Sequence, residues 1–61
     1  MIKKGDRCDV PKRFIESFGG RCADYITVQK INDCIVFFTL QLDYGILSSS
    51  CFINELKLYQ E

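Results

Sequence analysis

The sequence predicts a small, mainly β domain, and three observations predict it. Apolar and polar residues alternate at period two through residues 7–10, 21–31 and 34–42, the periodicity of a half-buried strand. Turn-forming residues interrupt those stretches at Gly5-Asp6, Gly19-Gly20, Asn32-Asp33 and Asp43-Tyr44-Gly45. The chain has 61 residues, read as one domain over 1–61, and a chain of that size buries only roughly 60% of its unfolded surface. Five short apolar pieces in that length predict a five-stranded barrel.

Each element has its own warrant. In the first strand Cys8 and Val10 share the inward face, and Pro11 ends it because proline cannot donate to a ladder. Residues 11–18 allow two readings. A two-turn helix would place Pro11 in its first turn, Gly19 at its end, and Phe14 and Phe18 on one face. An irregular loop would fold the same aromatics over the barrel mouth. Isolated short helices are marginal in water, which favours a loop with at most one helical turn.

The second strand, 21–31, turns Ile26 and Val28 inward and is rich in strand formers at Tyr25, Ile26, Thr27 and Val28. Asn32-Asp33 supplies a tight turn, since both side chains tolerate positive φ. The third strand, 34–42, sets Cys34, Val36, Phe38, Leu40 and Leu42 on one face and Ile35, Phe37, Thr39 and Gln41 on the other. Apolar residues on both faces at its start predict a strand that is central or covered on both sides. After the Asp43-Tyr44-Gly45 turn comes a short strand, 46–50, ending in three serines. The tail, 51–61, reads either as a helix capped by Ser50 or as a single helical turn followed by a strand. The alternation Glu55-Leu56-Lys57-Leu58-Tyr59 favours the strand, with Leu56 and Leu58 inward.

Composition narrows the function classes. Hydrophobic residues make up 48% of the chain, more than so small an interior holds, so a surplus is expected on the surface, where a contiguous patch marks an interface. Net charge is zero but uneven. Lys3, Lys4, Arg7, Lys12, Arg13 and Arg21 outnumber the acids of residues 1–21, whereas acids outnumber bases beyond them. The longest apolar run, 34–38, is far short of the roughly twenty residues that span a bilayer. The charged start leads into no apolar stretch, so no signal peptide is read and a cytoplasmic location is expected.

The four cysteines, Cys8, Cys22, Cys34 and Cys51, lie 14, 12 and 17 residues apart. Structural zinc sites take paired ligands two to four residues apart, and the chain has no histidine. The cysteines are therefore expected to be reduced, buried small hydrophobes, with no metal and no cofactor. Without histidine there is no imidazole to act as general base or to activate a thiol. Gly19-Gly20 lacks the Gly-Lys-Ser/Thr ending of a phosphate loop, and the acids are scattered singly. No enzyme is predicted.

The order of the pieces carries a resemblance. Lys4-Gly5-Asp6-Arg7 leads into the first strand, a Gly-Gly loop into the second, Asn32-Asp33 into the third and a glycine turn into the fourth. Asn54-Glu55-Leu56-Lys57-Leu58 closes the chain after a short turn. This resembles small bacterial and phage proteins with a Src-homology-3-like barrel, including the KOW-like subgroup of translation and transcription factors, across nearly the whole chain. Asp24-Tyr25 stands where a KOW-type Gly-x-Val step would be, and there is no tryptophan for a eukaryotic-type peptide groove. The resemblance implies a binding module and, by analogy, a phage or prophage accessory protein; it implies no ligand.

Two surfaces follow as expectations. A protein partner or self-association would use Phe14, Phe18, Ile35, Phe37 and Tyr44, because aromatic side chains bury much area at low entropic cost. A nucleic acid would instead meet Lys3, Lys4, Arg7, Lys12, Arg13 and Arg21 through its phosphates, with Phe14 or Phe18 stacking on bases. The pI of about 6.2 weakens the second expectation, since nucleic-acid-binding domains usually carry a pI above about 9.

Overall fold

The computed structural model describes residues 2–60. Four antiparallel strands make one sheet in the order β1–β2–β3–β4: β1 is Arg7–Asp9, β2 Cys22–Asn32, β3 Ile35–Leu42 and β4 Gly45–Phe52. A helix, α1 (Lys12–Phe18), joins β1 to β2, and a 3₁₀ turn over Ile53–Glu55 follows β4. The protein is mainly β, as its alternating pattern predicts.

β3 shows how the pattern becomes a layer. Val36, Phe38, Leu40 and Leu42 are buried, while Ile35, Phe37, Thr39 and Gln41 point to the opposite face. The strand lies inside the sheet, as expected, but only one of its faces is covered: Phe37 is 41% exposed and Phe38 1%. A two-residue turn at Asp43-Tyr44 pairs Leu42 with Gly45, and the register then runs unbroken to Ile35 opposite Phe52. β4 is therefore longer than the five residues expected. The preceding turn falls on Asp33-Cys34, one residue later than predicted, with Asp33 in the left-handed region at φ 56°. A short polar side chain tolerates that conformation better than a bulky one.

β2 breaks strict alternation. Its register slips between Cys22 and Ile26 and again between Val28 and Lys30. The second irregularity resets the faces: Ile26 and Val28 point inward before it, and Ile31 packs against the core after it, while Lys30 turns outward opposite Phe37. Bulges of this kind bend and twist a sheet. Here the bending brings Cys8 of β1 and Cys51 of β4, from opposite sheet edges, into one buried cluster with Val10, Phe38, Leu40 and Leu56.

Residues 12–18 are a full helix, which corrects the loop expectation. Phe14 and Phe18 share a face and pack against the core, the Phe14 ring meeting Phe38 edge-on at 5.5 Å between centroids. That docking supplies what a short helix lacks in water. Pro11 sits before the first turn as the N-cap, one position earlier than predicted. Gly19 ends the helix as expected, and the reason is steric: its φ of −52° is open to any residue. Its N–H donates to the Ile15 carbonyl at 2.7 Å, and a Cβ there would lie 2.5 Å from that oxygen.

The tail follows the turn-then-extended reading. Leu56 is buried, but Leu58 is 45% exposed rather than inward. The predicted fifth strand amounts to one bridge, Cys8 with Leu58, flanked by the Asp9 N–H donating to the Lys57 carbonyl and the Tyr59 N–H to the Arg7 carbonyl. The sheet is open, with β4 at its far edge and no strand beyond it among the described residues.

Candidate interaction surface

The outer face of β3 and β4 is set by one hairpin. Because the Asp43-Tyr44 turn fixes the register, Ile35 stands opposite Phe52, Phe37 opposite Ser50, Thr39 opposite Ser48 and Gln41 opposite Ile46, all away from the core. Ile35, Phe37 and Phe52 form an apolar corner, with Phe52 54% exposed. Ile46, 66% exposed, stands at the other end, and Tyr44, 74% exposed, caps the turn. Between Phe37 and Ile46 lies a shallow hollow of about 320 Å³, lined by Phe37, Thr39, Ser48 and Ser50 and closed at one side by Gln29. The Gln29 amide donates to Thr39 Oγ1 at 3.1 Å, and the Gln41 amide donates to the Leu42 and Gly45 carbonyls. Those bonds hold the polar part of the face flat beside its apolar corner.

The structure therefore divides the residues expected at a protein interface. Ile35, Phe37 and Tyr44 lie on or beside the outer face. Phe14 and Phe18 do not: both are partly buried under α1, where they serve packing. Sequence reasoning missed Ile46 and Phe52. Their signal was present, because a two-residue turn at 43–44 places both on the face of Ile35 and Phe37.

A cluster of polar contacts ties α1 to the end of β4. Arg13 Nη2 donates to the Ser50 carbonyl at 2.9 Å, and Arg13 Nη1 lies 3.9 Å from Glu55 Oε1. The other carboxylate oxygen of Glu55 accepts the Phe52 N–H at 2.9 Å, fixing the start of the 3₁₀ turn. An ion pair this exposed contributes less than about 1 kcal/mol; its effect is to place α1 over the Ser50 end of β4.

The six expected nucleic-acid contacts have different immediate surroundings. Lys3 and Lys4 join Lys30 around a hollow of about 530 Å³ that Ile2, Gln29 and Ile31 also line. Arg7 lies over the Tyr25 ring at 4.6 Å, with Tyr59 on the same ring at 5.3 Å. Lys12 and Arg13 are on α1, where the Arg13 guanidinium sits 5.1 Å from the Phe14 centroid, and Arg21 follows in the loop to β2. Phe14 and Phe18, turned to the core, are not placed to stack on bases.

The cysteines are not all buried as predicted. Cys8 and Cys51 are, Cys22 is half-buried and Cys34 is exposed in the turn before β3. Burial pushes the Cys8 thiol up, helped by Asp6, Asp9 and Cys51 nearby. Burial likewise raises Cys51, with Glu55 adding to the shift and Arg13 opposing it. Both are thereby held as unreactive thiols. Among the described residues no three cysteine or carboxylate side chains gather as a metal ligand set, and no buried side-chain nitrogen or oxygen lacks a partner. No helix among them is long and apolar enough to cross a membrane. What the surface offers is contact area and backbone hydrogen bonding. Comparison with family models, with curated proteins and with solved structures finds no match for this chain.

Proposed function

We propose that this chain is a non-enzymatic protein-interaction module whose working surface is the outer face of β3 and β4. One observation carries the reading: Phe37, Tyr44, Ile46 and Phe52 stand exposed along a single hairpin, with Ile35 half-buried beside them. The module works in the cytoplasm, where its four thiols stay reduced. The architecture is a Src-homology-3-like barrel in which the extended tail acts as a short fifth strand on β1; the Cys8–Leu58 bridge and the 3₁₀ turn before the tail support that reading. The test compares proteins captured by wild-type chain and by Phe37→Ser from the source cell. Partners that depend on Phe37 are expected. An identical set from both chains counts against the face.

A second reading, contact with a nucleic acid, is favoured by the hollow that Lys3, Lys4 and Lys30 share. Binding of a mixed-sequence oligonucleotide that weakens with salt and disappears in the triple Lys→Glu variant is its expected signature. No shift at low salt ends it.

A further inference from the structure

We infer that the partner is a second copy of this chain, added antiparallel to the free edge of β4 about a two-fold axis at Ser48. The inference rests on the interaction reading above and names its occupant. β4 is paired with β3 along one edge only. In an antiparallel hairpin the backbone groups alternate in direction. Gly45, Leu47, Ser49 and Cys51 bond to β3, so Ile46, Ser48 and Ser50 direct their N–H and C=O groups to the open side. The strand runs eight residues with no charge and no proline. Edges that must stay single are guarded by lysine, proline, bulges or covering segments. Arg13 donates to the Ser50 carbonyl from an exposed side chain at one end, so that acceptor is shared or released when a second strand docks, while Ile46 and Ser48 present their backbone groups without such a cover.

A two-fold at Ser48 makes the edge complementary to itself. Ser48 meets Ser48 of the second copy, Ile46 meets its Ser50, and Tyr44 meets its Phe52. The Ile46 side chain of one copy then falls beside the hollow between Phe37, Ser48 and Ser50 of the other, where small serines leave room for a branched side chain. Tyr44, Ile46 and Phe52 are the three most exposed large apolar residues among the described residues, and this register partners all three. Tyr44, in the turn just before β4, comes beside Phe52 of the second copy, so two aromatic side chains meet at each end. Asp43 of each copy approaches the Ser50–Glu55 end of the other, where Arg13 and Glu55 balance each other, so no unpaired like charge faces it. With zero net charge the chain has no long-range repulsion to overcome.

Sedimentation equilibrium of the full chain under reducing conditions tests the inference, with far-UV circular dichroism confirming the fold of each variant. The wild type is expected to dimerise. Ser48→Lys sets two ammonium groups across the axis and should weaken association at least about tenfold. Mixing it with Ser48→Asp should restore the dimer. Ile46→Ser, which removes a side chain that its own core does not use, should weaken association likewise and serves if Ser48→Lys does not fold. A wild-type chain still monomeric at about 1 mM, or variants that dimerise as well as the wild type, would overturn the inference. A monomer whose partner capture still depends on Phe37 refutes the second copy and leaves the interaction reading standing. A dimer broken by Ser48→Lys, in a chain whose captured partners are indifferent to Phe37→Ser, does the reverse.

Discussion

Phe37 and Phe38 are consecutive, chemically identical and on opposite faces of β3, so exchanging each for alanine isolates the effect of burial. Phe38 is 1% exposed and meets Phe14 edge-on; Phe37 is 41% exposed and lines the outer hollow. Truncating a fully buried phenylalanine costs about 3–5 kcal/mol, since the transfer energy and the cavity add. The whole domain holds only about 3–9 kcal/mol at typical stability per residue for 61 residues. Phe38→Ala should therefore remove between about a third and all of that margin. Phe37→Ala removes a half-covered side chain and leaves no cavity, so it should cost about 0.5–1 kcal/mol. At about 4–8 °C per kcal/mol for a domain this small, that lowers Tm by roughly 2–8 °C. Urea and thermal unfolding followed by far-UV circular dichroism give both numbers. The assignment of faces fails if Phe37→Ala is as damaging as Phe38→Ala, or if Phe38→Ala melts like the wild type.

Four further outcomes follow from local contacts. Gly19→Ala should destabilise the protein by more than about 1 kcal/mol, because the new Cβ meets the Ile15 backbone oxygen at 2.5 Å and backbone cannot step aside as a side chain can; thermal melts measure it. A thiol reagent should label Cys34 at once and Cys8 and Cys51 only on unfolding, read by mass spectrometry over time. The same two thiols make stability pH-dependent. Burial holds them protonated when folded, whereas the unfolded chain releases those protons near the ordinary value of 9.0. Their contribution is thus complete below pH 9 and is lost as pH rises through it. Urea midpoints should fall above pH 9, and less so in Cys51→Val. Arg13→Ala should cost at most about 1 kcal/mol, since its ion pair with Glu55 is exposed. A larger loss in urea unfolding would give that contact a weight its geometry does not support.

The alternation of β3, the inward Cys8, Val10, Ile26 and Val28, the breaks at Pro11 and Gly19 and the turn at Asp43-Tyr44 were all legible in the amino-acid order. These depend on local chemistry: side-chain periodicity, missing N–H groups and tolerance of positive φ act within a few residues. Ile46 and Phe52 were legible too, one inference further on, through the register that a two-residue turn imposes. Other features rest on residues far apart in the chain. Residues 12–18 are helical because Phe14 and Phe18 find the sheet beneath them, and that docking turns two expected contact residues into core. The irregularity between Val28 and Lys30 is invisible to a strict period of two, yet it sends Ile31 inward and Lys30 out. The openness of the sheet is likewise non-local. Whether Leu58 completes a fifth strand depends on how far β1 and the tail can pair once the core is filled, and a single bridge is the result. Patterning chooses which side chains seek burial; packing chooses which of them obtain it, because the interior of 61 residues cannot hold them all.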